Sequence, residues 1–177
     1  MNAEQQRQAR LMNEYNELQK LPKNSPVYTV VPSPGQRVPY VTSYDVTYTI
    51  PTYVDNGRNK QQRTVVRVTL GNTWPQSRPG VTVIEGKTPF HVNWFTNGDL
   101  CTGNNWVPTM WLYEVFGFIG RVLQYQHSVV NVESPANTAA IPFYNEHRYR
   151  DLPTDNRPMP SPGAAAPAKH TMVIHRG

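Results

Sequence analysis

The stretch His91-Val92-Asn93-Trp94-Phe95-Thr96-Asn97-Gly98-Asp99-Leu100-Cys101 ends on the chain's only cysteine. Residues 85–105 around it are rich in Gly, Asn and Thr and follow neither a helical nor a strand period. An irregular run of that length inside a compact domain is usually functional. A lone cysteine is most often a small buried hydrophobe. Here Asn97, Gly98, Gly103, Asn104 and Asn105 flank it. That polar setting favours exposure, and exposure favours reactivity. His91 offers a general base for a Cys–His hydrolytic pair, but no second histidine or carboxylate stands at local spacing to orient it.

Outward from this loop the chain reads as strands on one side and helices on the other. Upstream, Val81-Thr82-Val83-Ile84, then Val66, Val68 and Leu70, then Val46, Tyr48 and Ile50 within Tyr44–Tyr53 alternate with polar residues. Such alternation predicts half-buried strands. With Val27–Val31 they make an antiparallel meander of about four strands, with Asp55-Asn56-Gly57 as a turn between two of them. Before the strands, Leu11, Tyr15 and Leu18 line one face of a helix over residues 4–20, closed by Pro22 and Pro26. Gln, Arg and Glu fill its other face.

Downstream, Leu112, Val115, Phe116, Ile119, Val122 and Leu123 predict a strongly apolar helix. Gly117 and Gly120 weaken it, so another backbone is expected to approach closely there. Ser134-Pro135 opens a further helix around Asn137–Asn145, with Pro135 in its first turn. The fold class is therefore α+β. Residues 1–150 form the domain, and residues 151–177, with five prolines and an Ala run, read as a flexible tail carrying the small apolar patch Met172-Val173-Ile174.

Composition excludes several function classes. The 177 residues hold one cysteine, so neither a disulfide framework nor a Cys-rich zinc site is possible. No apolar run is long enough to span a bilayer, the best being Trp111–Gly120, which contains Glu114. The first residues lack the apolar core of a secretory signal, and a reducing, cytoplasmic setting is the expectation. The net charge of +5 is spread out, with no run of five or six Lys/Arg. This fits a mildly basic enzyme meeting acidic protein partners better than a nucleic-acid-binding module.

The His91-x-Asn93 triplet, followed by Asn97-Gly98 and then Cys101, resembles the active-site signature of ubiquitin-conjugating (E2) enzymes, His-Pro-Asn with a loop ending Asn-Gly-x-Ile/Leu-Cys. Trp106-Val107-Pro108-Thr109 resembles the family's Trp-Ser-Pro-Ala before the central helix. Ser134-Pro135-Ala136-Asn137-Thr138-Ala139-Ala140 resembles its Pro-Leu-Asn-x-x-Ala-Ala entry to the next one. Trp74-Pro75-Gln76-Ser77-Arg78-Pro79 resembles its Tyr-Pro-x-x-Pro-Pro loop. The likeness runs from residue 4 to residue 147. Val92 replaces the family's proline, and Trp106 follows Cys101 by only five positions. These departures point to a divergent branch, most like the bacterial E2-like proteins of antiphage ubiquitin-like conjugation operons.

The resemblance implies the E2 (UBC) fold: N-terminal helix, four-stranded meander, active-site loop and C-terminal helices. It implies that Cys101 accepts the C-terminus of a ubiquitin-like protein as a thioester from an E1-like enzyme and delivers it to an amine on a target protein. Asn93 would donate to the oxyanion, and losing one such donor typically costs about 10²–10³ in rate. His91 would hold the loop, while Ser134 and Glu133 stand where incoming amines are positioned or deprotonated. Arg7, Arg10 and Lys20 resemble the face offered to the activating enzyme, and the loops at Trp74-Pro75 and Val107-Pro108 the ligase edge, with exposed apolar anchors. No cofactor or metal is implied. The alternative is an inactive E2 variant acting as a scaffold for a ubiquitin-like protein or E1. Such variants normally lose the cysteine that this chain keeps.

Overall fold

The computed structural model describes residues 2–103 and 105–164. Helix α1 (Ala3–Leu18) starts at Asn2, whose side chain accepts the Gln5 N–H while the Gln5 side chain accepts the Asn2 N–H, both at 2.9 Å. This reciprocal capping satisfies two donors that the helix itself cannot pair. Leu11 and Leu18 are buried as expected, but so is Glu14, which the amphipathic pattern put on the wet face. Its carboxylate accepts the Leu112 N–H at 2.8 Å and the Arg10 Nε–H at 2.7 Å. Glu14 therefore caps a second helix, α2 (Leu112–Leu123), from across the fold. Burial pushes its carboxyl upward in pKa, opposed by the Leu112 N–H and by Arg10.

Strands β1 (Tyr28–Pro32), β2 (Ser43–Tyr48), β5 (Thr64–Thr69) and β6 (Gly80–Glu85) form one antiparallel sheet in the order β1-β2-β5-β6. Tyr44, Val46, Tyr48, Val66 and Val68 are buried in the core they share with α2. Tyr48 donates its hydroxyl to the Phe116 carbonyl at 2.8 Å, fixing α2 on the sheet. The strand expected over Tyr44–Tyr53 breaks after Tyr48. Thr49 gives its N–H to Val27 O, and Pro51 has none to give. β3 (Thr52–Val54) instead pairs with β4 (Asn59–Gln61) as a separate hairpin around Asp55–Gly57, the turn expected from the sequence. Asn56 and Gly57 there take φ of +56° and +80°, which suits Asn-Gly.

The last helix, α3 (Ala140–His147), begins later than Ser134-Pro135 suggests, and Ala139 rather than Ser134 precedes it. The reason is that Ala136 and Asn137 both give their N–H groups to Val92 O, at 2.8 and 3.1 Å, holding that stretch non-helical. Pro142 sits in the helix's first turn instead, where its missing N–H would be unpaired anyway.

Residues 152–159 make contacts with the domain. Leu152 is buried, Thr154 N–H binds Gln124 O, and Arg157 donates to Pro26 O and Thr49 O. Met159 lies against Gly117 and Gly120 of α2. The close approach that those glycines permit is thus made by a side chain from the C-terminal segment, not by a backbone. A Cβ on Gly120 would clash with Met159 Sδ and come within 3.3 Å of Tyr48 Cε1. The Met172-Val173-Ile174 patch lies outside the described residues. No helix among the described residues is long and apolar enough to cross a membrane.

Candidate active site

The loop before Cys101 folds as a small hairpin at the edge of β6. Trp94 and Leu100 form a bridge, Phe95 N–H binds Asp99 O at 2.8 Å, and the buried Trp94 indole donates to Gly98 O at 2.9 Å. Gly98 takes φ of +96°, which a side chain would resist. On the β6 side, Val83 N–H binds Gly98 O and Leu100 N–H binds Val81 O, both at 2.9 Å. Cys101 emerges from this clamp half-buried, its N–H held by Asn93 O at 2.9 Å.

His91, Val92 and Asn93 each hold something. His91 is 1% exposed, and its Nδ1 accepts the Asn93 N–H at 2.9 Å, which leaves the proton on Nε2. Its ring lies 4.6 Å from that of Tyr125, and burial lowers its pKa to about 3, so it stays neutral. A ring with its one lone pair engaged and its other nitrogen buried has nothing to offer Cys101. The hydrolytic pair therefore lacks its base.

Val92, standing where the family has proline, is buried in a cluster with Tyr125, Ala140, Tyr144 and Leu152. Its carbonyl takes the Ala136 and Asn137 N–H groups already described. The Asn93 carboxamide, 3% exposed, accepts the Asn131 N–H at 2.9 Å and donates to Val129 O at 2.7 Å. Side chain and backbone of the triplet thus pin residues 129–137 beside the Cys101 loop, with four hydrogen bonds across the gap.

Glu133 and Ser134 lie exposed on the pinned segment. Ser134 gives its N–H to Asn131 Oδ1 at 3.1 Å. Asn131 itself carried no sequence signal, since it sits in a loop without period or motif.

The expected partner surfaces are only partly free. Arg10 is turned inward: it holds Glu14, donates to Met110 O at 2.8 Å and lies 4.7 Å over the Trp111 ring. Trp74 is 1% exposed and packs on Trp106 at 4.8 Å between ring centres, so it is no surface anchor. Its aromatic area goes into the domain core, which leaves none for a partner. Arg7, half-buried, reaches Gly71 O at 3.4 Å. Pro75 is half-buried, whereas Val107, at 50% exposure, and Pro108 face solvent. A groove of about 440 Å³ runs between α1 and residues 72–76, lined among others by Arg7, Arg10, Trp74 and Pro75.

Neither a family model nor any curated protein sequence matches the chain. Solved structures do. Human ubiquitin-conjugating enzyme E2 G1 superposes with a TM-score of 0.50 at 17% identity, over 66% of this chain and 93% of that one. The fold is that of an E2. A ubiquitin conjugating enzyme E2 from Plasmodium falciparum matches with a TM-score of 0.48 at 21% identity, covering 65% of this chain and 96% of that one. In E2 terms, α1 is the N-terminal helix, β1-β2-β5-β6 the meander and α2 the central helix. The hairpin ending at Cys101 then stands between meander and central helix, as the sequence resemblance implies.

Proposed function

We propose that the chain is an E2-like acyltransferase. Cys101 accepts the C-terminal acyl group of a ubiquitin-like protein from an E1-like enzyme and passes it to an amine on a target protein, in the cytoplasm, with or without a ligase. The observation that carries this reading is the presentation of Cys101. The only thiol of the chain is half-exposed at the mouth of a clamped hairpin, opposite a loop that the His91-Val92-Asn93 triplet holds in place. Thioester exchange is nearly balanced in energy, so no strong base is required. The neutral His91, its Nδ1 lone pair committed to the Asn93 N–H, suits that chemistry and does not suit hydrolysis.

In this reading His91 is structural, and Asn93 acts by pinning the 129–131 loop, with one of its two Nδ2 hydrogens committed to Val129 O. Glu133 and Ser134, both exposed, are the residues that would receive an approaching ammonium. The exposed Val107-Pro108 turn and the groove beside Arg7 and Pro75 are the surfaces offered to a ligase or to the activating enzyme. The short Cys101–Trp106 connection and Val92 support a divergent, bacterial antiphage-type member. Mixing the protein with an E1-like enzyme, its ubiquitin-like protein and ATP tests the reading. A reductant-sensitive adduct lost in Cys101→Ala supports it. No adduct from a folded protein points instead to an inactive scaffold.

A further inference from the structure

Asn131 holds an oriented carboxamide beside the cysteine loop. Its N–H is held by Asn93 Oδ1 at 2.9 Å, and its own Oδ1 accepts the Ser134 N–H at 3.1 Å. These two bonds fix the carboxamide's orientation while leaving both Nδ2 hydrogens without an acceptor among the described residues. The nitrogen they leave free faces the cysteine loop: a Cβ built on Gly103, two residues after Cys101, would lie 3.7 Å from Asn131 Nδ2. Asn93, by contrast, is buried and has both ends of its carboxamide engaged. Asn93 keeps one Nδ2 hydrogen, but in a buried carboxamide whose orientation the 129–131 loop dictates, whereas Asn131 is half-buried, held in position and without an acceptor for either hydrogen among the described residues.

We propose that Asn131 supplies the amide donor for the tetrahedral intermediate, with Asn93 as its positioning residue. This rests on the acyl-transfer reading above. In the step itself, the neutral amine of the acceptor forms a C–N bond to the Cys101 thioester carbon, and the carbonyl π pair moves onto oxygen. Asn131 Nδ2 donates to that oxyanion. Collapse re-forms C=O and breaks C–Sγ, so the pair leaves on the Cys101 thiolate, while the excess proton on nitrogen passes to water. An uncharged donor held before the charge develops costs no reorganisation when it appears.

The test separates loading from transfer. Cys101 is loaded by thiol exchange with a short peptide α-thioester ending in glycine, which needs no E1, and is then discharged with free lysine under single-turnover conditions. Asn131→Asp keeps the Oδ1 acceptor for Ser134 N–H and removes the donors, and Asn131→Ala removes them without adding charge. Both variants are expected to reach the same final extent of loading as wild type, since a transition-state donor does not move an exchange equilibrium, and to discharge about 10²–10³ more slowly. Amide exchange at Ser134 in Asn131→Asp reads the loop independently and is expected to match wild type. Wild-type discharge rates in both variants, with the loop intact, would overturn the role of Asn131 and leave the acyl-transfer reading standing. Failure of the wild-type protein to load would overturn both.

Discussion

The Asn93 Oδ1 atom accepts the Asn131 N–H at 2.9 Å, across 38 residues of sequence. With the Asn93 Nδ2 bond to Val129 O, one buried carboxamide joins the loop that precedes Cys101 to the loop that faces it. Hydrogen bonds of this kind contribute about 0.5–1.5 kcal/mol each, and leaving a buried partner unpaired costs more.

Replacing Asn93 by Ala should therefore destabilise the domain by about 1–3 kcal/mol. It should also strip the Asn131 amide of its protection against hydrogen exchange while the core amides of β2 and β5 keep theirs. Exchange measured by NMR on both proteins checks this. Undiminished protection at Asn131 would mean that the carboxamide does not hold the loop.

His91 sets an acid limit. Its folded pKa, near 3, lies below the ordinary histidine value of 6.5, because burial disfavours the cation. The stability this contributes is complete above the unfolded value and is lost as pH falls from about 6.5 toward 3, at a slope approaching about 1.4 kcal/mol per pH unit. Urea unfolding at pH 7, 6 and 5 should show that loss. His91→Asn, whose Oδ1 can still accept the Asn93 N–H, should start less stable at pH 7 and decline less between pH 6 and 5. Equal slopes for the two proteins would exclude His91 as the origin.

The seating of Met159 on α2 predicts a paired effect. Gly120→Ala introduces a methyl group against Met159 and close to Tyr48, an overpacking that should cost about 1–3 kcal/mol. Met159→Ala should cost about 2–3 kcal/mol through lost packing. The double variant should be less destabilised than the sum, because the second change makes room for the first. Thermal or urea unfolding of the four proteins measures the coupling, and strict additivity would place Met159 elsewhere.

Much of the fold was legible because strand alternation and the apolar stripe of α2 report burial directly. Val46, Tyr48, Val66, Val68, Phe116 and Ile119 all lie in the core where their periodicity put them. Residues whose roles depend on a distant partner were not legible. Glu14 looks like any solvated helix glutamate until the N-terminus of α2 lies against it. Trp74 reads as a loop aromatic until Trp106 covers it. The proline-rich stretch from residue 151 has the composition of a tail, yet Leu152, Arg157 and Met159 dock it on the domain. At the site, the triplet and Cys101 stood out by motif, whereas Asn131 gains meaning only from the bonds that Asn93 and Ser134 make to it.

Whether Cys101 accepts an acyl group is decided by a charging assay. The full chain is incubated with an E1-like enzyme, its ubiquitin-like protein and ATP, and resolved with and without reductant. A reductant-sensitive adduct is expected in the wild type, none in Cys101→Ala, and an adduct that forms at the normal rate in His91→Asn. An adduct that persists in Cys101→Ala, or a folded wild-type protein that takes up no acyl group from any E1 pair or from a peptide thioester, would contradict acyl transfer through Cys101.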